Sequence, residues 1–424
     1  MRLLLVAALG LSACIDDPCR GFDGPTLRVA PPDGADGSPD LRTFDSIRAA
    51  LEVAEPGTAV CVAPGIWREQ VRVRTPDVHL LGAGPDLTIL EPPASAEDPL
   101  EASGTVVALE ADDAELRGFT VRGGVRGVWL SGGHDATLAE LSITNNATGL
   151  LSLNPGALRL EDVELVHNVA IGGLITSLSG GPTLVIEGGA ILGNGRAGRS
   201  EVGGLYSDRA VSATGLRLRD NAGVVAADLL TQGSLTLVDS RVDRPAGSGE
   251  APRLYAGGGA TVERVEGHTA GSPLLRVRCD ADDTLMLENL ALTDTGGSAP
   301  LIELEGCAGR LAHATLVDLS DANSRAPISL SGGGAVELVN SALLGFGPSA
   351  QVEDGGPGLT LTATWEGRIP DARLVRAYEI DPDLRPQSDS PLVDRGTELD
   401  VTVDLAGRSR PVGDAPDLGA FELY

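Results

Sequence analysis

The chain of 424 residues carries a net charge of −28, and its 32 basic residues are all arginine. An acidic surface of this strength repels nucleic acid and anionic membranes, so nucleic acid is excluded as a partner and an acidic polymer could bind only at a local arginine cluster. The 56 glycines and the aromatic content of only 3% fit many short strands separated by turns better than a helical bundle.

The N-terminus has the pattern of an export signal. Met1-Arg2 gives a short positive start, and the apolar run from Leu3 to Leu11 is too short to span a bilayer as a permanent helix. The run ends in Leu11-Ser12-Ala13-Cys14, which resembles the lipobox of bacterial lipoproteins. The resemblance implies that residues 1–14 are a lipoprotein signal peptide, that Cys14 is acylated, and that this lipid is the contact with the membrane. An ordinary signal peptide with a chance cysteine is the alternative.

The residues after the lipobox bear on localisation. Ile15 stands where the enterobacterial sorting rule places an aspartate in lipoproteins retained in the inner membrane. We therefore expect an exported cell-envelope protein, in the outer membrane rather than the inner one. Residues 15–40 are rich in Asp, Pro and Gly, and they predict a flexible tether between the lipid and the folded body.

Phe44 to Ala54 carry apolar residues at helical spacing, and Pro56-Gly57 ends the pattern. Three further blocks complete a recognisable stretch: Ser46-Ile47-Arg48-Ala49-Ala50, Val62-Ala63-Pro64-Gly65-Ile66-Trp67-Arg68-Glu69 and Leu81-Gly82-Ala83-Gly84-Pro85-Asp86-Leu87-Thr88-Ile89. The stretch resembles the N-terminal cap of pectin methylesterases and related β-helix proteins. The resemblance implies that residues 41–100 are a cap and first coil, in which a short helix covers the open apolar end of the coil.

A repeat in the middle of the chain predicts a solenoid. Its clearest copies begin at Gly127, Gly149, Gly173 and Gly204, at spacings of 22, 24 and 31 residues, and weaker copies continue to about residue 330. Each copy combines a short apolar strand, a turn and a second strand. We predict an all-β fold, a right-handed parallel β-helix of roughly eleven coils with its repeats over 101–365, about 50 Å long at about 4.8 Å per coil.

One asparagine recurs in each clear copy of the repeat, namely Asn146, Asn168, Asn194 and Asn221. A side-chain amide both donates and accepts, so stacked asparagines can continue the hydrogen bonding of the strands through a bend. We predict such a ladder, and the general preference of asparagine for turns is the alternative.

Four cysteines remain beyond position 14, and an even number in an exported chain predicts two disulfides with three possible connectivities. Segments 272–278 and 299–305 align as neighbouring coils, with Arg276 beside Glu303. This alignment leaves Cys279 and Cys307 within one residue of stacking, at a Cα separation that a disulfide can bridge. The pair that is left by elimination is Cys19 with Cys61.

The last segment, 366–424, contains three further blocks: Ser390-Pro391-Leu392-Val393-Asp394-Arg395-Gly396, Asp404-Leu405-Ala406-Gly407-Arg408-Ser409-Arg410-Pro411 and Asp417-Leu418-Gly419-Ala420-Phe421-Glu422. They resemble the choice-of-anchor Q domain, which closes many secreted bacterial β-helix proteins. The resemblance implies a class of protein and its export, and it implies no activity.

Parallel β-helices include pectate lyases, polygalacturonases, pectin methylesterases and many non-catalytic proteins, so the fold alone assigns no function. The catalytic blocks of the methylesterases have no convincing match beyond the cap. The Arg-Ile-Lys block of polygalacturonases and a lysine base are both excluded, because the chain has no lysine. Lyases with an arginine base and carboxylate-bound calcium stay open, although their sequence blocks are not apparent.

Three local pairs are candidates for acid–base chemistry or calcium: Asp112-Asp113, Asp282-Asp283 and His134-Asp135. Each precedes a strand at a turn, where aspartate usually accepts hydrogen bonds from local backbone amides, and we favour that structural role. The five histidines show no metal-ligand spacing, so we predict no metal site and no cofactor, with calcium left open.

The middle residue of each Gly-apolar-x-apolar copy should point outward. We assign Leu151 and Ile175 to this outward column, which we call the aromatic stripe because tyrosine and tryptophan occupy its other positions. Aromatic faces stack on sugar rings, and neighbouring polar groups bond hydroxyls. The predicted glycan-binding residues are Trp129, Tyr206, Asp208, Arg209 and Tyr255. An insertion around 193–203 walls this face, or else the insertion or the C-terminal segment covers it as a second small core.

These observations lead to one functional hypothesis and two alternatives. The hypothesis is a lipid-anchored β-helix that serves as a non-catalytic binding or structural module for extracellular polysaccharide. The first alternative is a carbohydrate-active enzyme, a polysaccharide lyase or glycoside hydrolase. The second is a surface scaffold or adhesin.

Overall fold

The structure is a computed structural model that describes residues 17–31, 43–93, 104–153, 155–177, 180–243, 251–320, 325–347, 351–352, 358–379 and 382–424. The predicted signal peptide, Cys14 and parts of the predicted tether lie outside the described residues.

Two short helices and 35 strands make up the described chain. The helices are α1 (Ile47–Val53) and α2 (Ile369–Ala372). The first strands are β1 (Thr26–Val29), β2 (Thr43–Phe44), β3 (Thr58–Val62), β4 (Gly65–Arg68), β5 (Val71–Val73), β6 (Val78–Gly82), β7 (Thr88–Glu91), β8 (Thr105–Leu109), β9 (Ala114–Arg117), β10 (Thr120–Arg122), β11 (Arg126–Ser131), β12 (Ala136–Thr144), β13 (Thr148–Leu153), β14 (Leu158–Val166), β15 (Ile171–Thr176), β16 (Leu184–Glu187), β17 (Ala190–Leu192) and β18 (Leu205–Ser207). The remaining strands are β19 (Val211–Thr214), β20 (Arg217–Arg219), β21 (Leu229–Thr231), β22 (Leu235–Val242), β23 (Leu254–Ala256), β24 (Ala260–Thr269), β25 (Leu275–Arg278), β26 (Leu285–Asp294), β27 (Ile302–Glu305), β28 (Gly309–Ala312), β29 (Thr315–Asp318), β30 (Ile328–Ser331), β31 (Ala335–Leu344), β32 (Gln351–Val352), β33 (Gly358–Gly367), β34 (Leu374–Arg376) and β35 (Asp383–Pro386).

The strands stack into a parallel β-helix, which confirms the predicted fold class. One sheet has twelve parallel strands, one from each coil, running from β5 to β32. A second sheet of 21 strands covers the other sides of the coils. The twelve stacked strands agree with the roughly eleven coils expected from the repeat. The hairpin of β34 and β35 is antiparallel and lies beyond the coils.

The interior is a continuous column of aliphatic side chains. Leu80, Leu116, Leu138, Leu160 and Ile186 stand on successive strands in direct register, and each is at most 2% exposed. The same apolar cluster extends from Val29 to Phe346. Each coil alone would leave its apolar side exposed, so burial comes from stacking, at roughly 25 cal/mol for each Å² of apolar surface removed from water.

The asparagine ladder is confirmed. The amide Nδ2 of Asn146 donates to Oδ1 of Asn168 at 3.2 Å, Asn168 donates to Asn194 at 3.0 Å, and Asn194 donates to Asn221 at 2.9 Å. Each Oδ1 also accepts the backbone N–H of the asparagine one coil earlier. Asn221 closes the ladder on the buried carboxylate of Asp228 at 2.7 Å, and burial raises the pKa of that carboxyl. The four buried asparagine amides thus continue the hydrogen bonding between coils through the bend.

A column of glycines faces the ladder, and the structure corrects its register in one coil. Gly149 aligns with Gly172, not with Gly173 as we predicted, because Leu150 pairs with Gly173. A Cβ at Gly149 would lie 2.4 Å from the carbonyl oxygen of Gly172 and 2.7 Å from Nδ2 of Asn168. The ladder therefore requires glycine at this corner.

The capping helix is confirmed at α1. Ser46 is its N-cap and accepts the N–H of Ala49 at 3.1 Å, while the carboxylate of Glu69 accepts the N–H groups of Ile47 and Arg48 at 2.9 and 3.1 Å. Ile47 is fully buried against the first coil. Glu69 ends the block 62–69 that carries the resemblance to the β-helix cap, and its contact with the start of α1 explains why a carboxylate stands at this position.

Both disulfides form as predicted. Cys279 and Cys307 are joined at a Cα distance of 4.9 Å, and Cys19 and Cys61 at 5.6 Å. The second bond corrects the predicted tether, because it fixes part of 15–40 to the first coil. Strand β1 corrects it further, since it pairs in parallel with β3 as an integral strand of the coil.

The C-terminal segment packs along the side of the last coils. Its apolar residues form a second core with outward residues of β26, β29 and β31. Asn289 donates to the carbonyl of Val403 at 2.9 Å, and Asn340 donates to that of Thr397 at 2.7 Å. Within the segment, Arg410 pairs with Glu422 at 2.7 Å, and both side chains are fully buried.

Candidate functional site

The aromatic stripe is a real outward column of the twelve-stranded sheet. The register places Trp129 beside Leu151, Leu151 beside Leu174, and Leu174 beside Tyr206. These three register steps place Trp129 and Tyr206 three coils apart, or about 14 Å. All four side chains are partly exposed. The predicted member Ile175 is wrong, because it is completely buried and Leu174 occupies its place in the column.

The stripe continues beyond Tyr206, but part of it is covered. The next two positions are Leu230 and Tyr255. Leu230 is only 3% exposed, because it packs with Val202 and Ala226, and the two tyrosines pack partly against the same small cluster. The insertion thus forms a second small core over the later part of the stripe, as the alternative expected, and leaves the part from Trp129 to Leu174 more open.

The two predicted polar partners of the stripe are occupied by the protein itself. The carboxylate of Asp208 accepts hydrogen bonds from the backbone N–H and the hydroxyl of Ser177. Arg209 is 3% exposed, and its guanidinium donates to the carbonyl oxygens of Pro155, Gly156 and Pro182 at 2.8 to 3.0 Å. Burial lowers the pKa of Arg209. Arg209 fastens turns of two earlier coils and is not placed to meet a ligand.

The local pairs singled out in the sequence bind partners outside the pairs. His134 pairs through Nδ1 with Asp112 on the preceding coil at 2.8 Å, while Asp135 accepts the backbone N–H of Ala157 at 2.7 Å. Asp283 accepts the N–H of Asp280, also at 2.7 Å. Asp135 and Asp283 thus accept backbone N–H groups, as we favoured, whereas Asp112 contacts His134, which is oriented by a different carboxylate from the one expected.

A second feature was not predicted from the sequence, an open charged groove of about 710 Å³ on the 21-stranded sheet. Nδ1 of His79 lies 2.7 Å from Oε2 of Glu115, and its Nε2 lies 3.5 Å from Asp77. We call this the charged groove. Its lining residues are Asp77, His79, Asp113, Ala114, Glu115, Arg117, Asp135, Ala136, Thr137, Ala157, Leu158, Arg159, Glu161, Thr183 and Val185.

Arginines tie the carboxylates of the charged groove together. Arg117 reaches Glu115 and Glu140 at 2.7 Å and Glu161 at 3.6 Å, and Arg159 reaches Glu161 at 3.3 Å. Burial raises the pKa of Glu115, but the hydrogen bonds from His79 and Arg117 outweigh it and hold the pKa below its usual range. Glu115 is therefore an ionised hydrogen-bond acceptor at neutral pH and a poor general acid.

The alternation of charge in this groove was visible in the sequence, in Glu115-Leu116-Arg117 and Arg159-Leu160-Glu161. The signal is weak, because alternating charge is also what an ordinary exposed strand carries. The register between coils, which brings opposite charges side by side, was the missing information.

The described part of the chain contains neither a metal-binding cluster nor a membrane-spanning helix. Among those residues, no three His, Cys, Asp or Glu side chains are grouped so that they could hold a metal ion. No described helix is long and apolar enough to cross a membrane.

The fold and these two surfaces define the chain as a parallel β-helix protein. No known protein-family profile matches it, and no curated protein matches its sequence. The lipoprotein and choice-of-anchor Q resemblances accordingly stay predictions.

Among solved structures, the chain is similar to the crystal structure of pectate lyase Pel9A, with 13% identity, a TM-score of 0.45, and coverage of 97% of this chain and 100% of the other. It is also similar to the catalytic domain of a GH87 α-1,3-glucanase solved with tetrasaccharides, with 14% identity, a TM-score of 0.41, and coverage of 78% and 70%. A pectin methylesterase solved with a hexasaccharide has 10% identity, a TM-score of 0.27, and coverage of 85% and 98%. At these values the neighbours assign no substrate and no activity to this chain, and its fold rests on the strand register.

Proposed function

We propose that this protein is an outer-membrane lipoprotein, anchored through Cys14, whose β-helix is a non-catalytic binding module for extracellular polysaccharide. The ligand lies along the open part of the aromatic stripe, parallel to the axis of the coil.

The observation that carries this proposal is the unbroken column from Trp129 through Leu151 and Leu174 to Tyr206. Leu153, two residues beyond Leu151 along β13 and therefore on the same face, is 41% exposed and widens the same apolar surface. A surface of this kind offers flat and aliphatic contacts to the ring faces of a sugar chain, and its length of about 14 Å suits several linked rings rather than a single sugar. The cluster around Val202 and Ala226 stands at one end of the open part as a wall.

The test is retention on a panel of acidic and neutral polysaccharides, with and without calcium. We expect Trp129→Ala to weaken retention by about fivefold, since one aromatic contact contributes roughly 1 kcal/mol beyond its buried area. Tyr378→Ala is the matched control, because Tyr378 is 58% exposed and lies in the C-terminal segment away from the stripe. Unchanged retention in a Trp129→Ala, Tyr206→Ala double variant would remove the stripe as the binding surface, and absence of retention on any glycan would favour a scaffold or adhesin.

A carbohydrate-active enzyme is the second candidate, and the charged groove is the observation that favours it. His79 touches two carboxylates there, and Arg117 lies among three. Against catalysis, Arg117 and Arg159 pair with the glutamates of the groove, and such pairing is typical of a stabilising ion-pair network on a surface. Incubation with the same glycans decides the question: unsaturated ends that absorb in the ultraviolet, or new reducing ends, that disappear in Glu115→Gln would establish the enzyme.

A further inference from the structure

The segment that precedes the first coil is fastened to it at several points. The carboxylate of Asp17 accepts two hydrogen bonds from the guanidinium of Arg28, at 2.8 and 3.1 Å. Cys19 is bonded to Cys61, and the ring of Phe22 lies 4.9 Å from that of His79. The chain is therefore attached to the coil from residue 17 onward.

Strand β1 then makes the attachment part of the fold. Leu27 pairs with Val60 and Val29 with Val62, so β1 is held by the same ladder as every other coil. Cys19, Cys61 and Leu81 form a small buried cluster outside the main core, with Phe22 packed against it. Release of residues 17–25 from the coil would require loss of the disulfide and exposure of this cluster.

These contacts limit how far the folded body can stand from a lipid on Cys14. Three residue steps separate Cys14 from Asp17, and an extended chain covers at most about 3.6 Å per residue, which gives a reach of about 11 Å whatever the path of the chain. The headgroup region of a bilayer is itself roughly 5 to 8 Å thick on each side. Asp17 would thus lie at the edge of the headgroups or within them.

We infer that the outer face of the first coil, around Asp17, Phe22 and Asp23, rests on the headgroup surface of the membrane. The inference depends on the proposed acylation of Cys14. The Cys19–Cys61 bond converts a predicted tether of 26 residues into a spacer of two, Ile15 and Asp16. The solenoid then stands directly on the bilayer.

Charge does not hold this contact. Arg28 on this face pairs with Asp17 at 2.8 Å, and the protein as a whole carries −28. Anionic lipids repel an acidic protein, so the short covalent spacer, and not charge, must hold the first coil at the membrane. Added salt should therefore leave the contact intact, whereas a longer spacer should abolish it.

The experiment measures the distance between the first coil and the headgroups in the full lipidated protein. Asp23, which is exposed, is replaced by an azide-bearing residue that carries a fluorophore, and the protein is reconstituted in phosphatidylcholine vesicles containing headgroup spin-labelled lipid. Such a nitroxide quenches only at short range. A second protein carries twenty Gly-Ser residues inserted after Asp16, which leaves every contact described above in place and gives a spacer of roughly 25 Å root-mean-square length.

We expect strong quenching with the native spacer, unchanged at high salt, and at least a twofold loss of quenching in the insertion protein. A Cys19→Ser, Cys61→Ser, Asp17→Asn variant should lose quenching in the same direction. Equal quenching with both spacers on vesicle-bound protein would overturn the inference while leaving the anchor in place. A native protein that binds vesicles no better than Cys14→Ala would overturn the anchor itself, and glycan retention through Trp129 would be unaffected by either result.

Discussion

The docking of the C-terminal segment should depend on pH through one buried histidine. His313 lies at a bend of the coil beneath the segment, with no exposed surface, and its Nε2 lies 3.2 Å from Nδ2 of Asn340. Burial, and then the nearby positive charge of Arg410, lower its pKa to about 3. Undocking of the segment would return the imidazole to water, where its pKa is about 6.5.

The sign and size of the effect follow from these two values. Between pH 6.5 and about 3 the undocked state binds a proton that the docked state does not, so stability falls as the pH drops below 6.5 and is unaffected above it. At pH 5 the difference is about 1.5 pH units, or about 2 kcal/mol. Asp417 and Glu422 act in the opposite direction, because burial raises the pKa of both and acid therefore favours their docked state.

His313→Asn separates these contributions. Asn289 and Asn340 hold the equivalent position in the neighbouring coils with the same left-handed backbone, at φ of 53° and 50°, so asparagine fits at 313, where φ is 52°. Hydrogen exchange of residues 390–424 at pH 7 and pH 5 measures the opening free energy of the segment. The wild type should lose about 2 kcal/mol more than His313→Asn between the two pH values. The same loss in both proteins would refute a buried neutral imidazole at this site.

Three changes test the framework of the coil, each by the shift of its urea unfolding midpoint. Asn168→Ala should cost about 2 to 4 kcal/mol, because it removes the buried partner of the Asn146 N–H and of the Ile143 carbonyl on the preceding coil, whereas Asn145→Asp at an exposed position beside the ladder should be nearly neutral. Gly149→Ala should cost about 1 to 3 kcal/mol, because its Cβ would overlap a carbonyl oxygen of the next coil. Replacement of Cys279 and Cys307 by serine should cost about 3.5 kcal/mol, which is the loop-closure value for a separation of 28 residues. An unchanged unfolding midpoint of the wild-type protein after reduction of its disulfides would contradict this expectation.

The fold was predictable because the residues that build it repeat. Apolar positions recur in each coil, one asparagine and one glycine recur in each clear copy of the repeat, and the constraint that each satisfies is local to the stacking of one coil on the next. The pairing of Cys279 with Cys307 was predictable for the same reason, since two aligned segments fix the register of the residues that follow them.

The predicted register of the aromatic stripe was wrong at a pair of consecutive glycines. Gly172 and Gly173 offer two alignments, and the sequence pattern favoured the wrong one because Gly173 fills an inward position that other coils give to leucine. A Cβ there would lie 2.5 Å from Cδ1 of Leu205, so the neighbouring leucine occupies the space. Compensation between coils of this kind is a property of packing, and a single repeat does not display it.

Arg209 shows a different limit. Arginine beside an exposed aspartate looks like a surface residue, yet it is buried by carbonyl groups that stand 27 to 54 positions earlier in the chain. The charged groove has the same origin in reverse: Arg117 and Glu140 are ordinary strand residues until the coil places them 2.7 Å apart. The alignment of each coil on the next determines which polar side chains pair within the protein, and the sequence of one coil does not show that alignment.

A solenoid separates the demands of folding from those of binding, and this bears on which surface carries function. Inward positions must be apolar for the coils to stack, whereas outward positions meet solvent and are free to be polar. In the charged groove the outward residues satisfy one another, so stability accounts for them. Trp129 contacts the guanidinium of Arg126, which lies 5.8 Å from its ring centroid. Leu151 and Leu174 have no such explanation, because apolar side chains that stay partly exposed on successive coils add little to the stability of the fold. Their persistence in one column is the reason for assigning the binding surface to the stripe rather than to the charged groove.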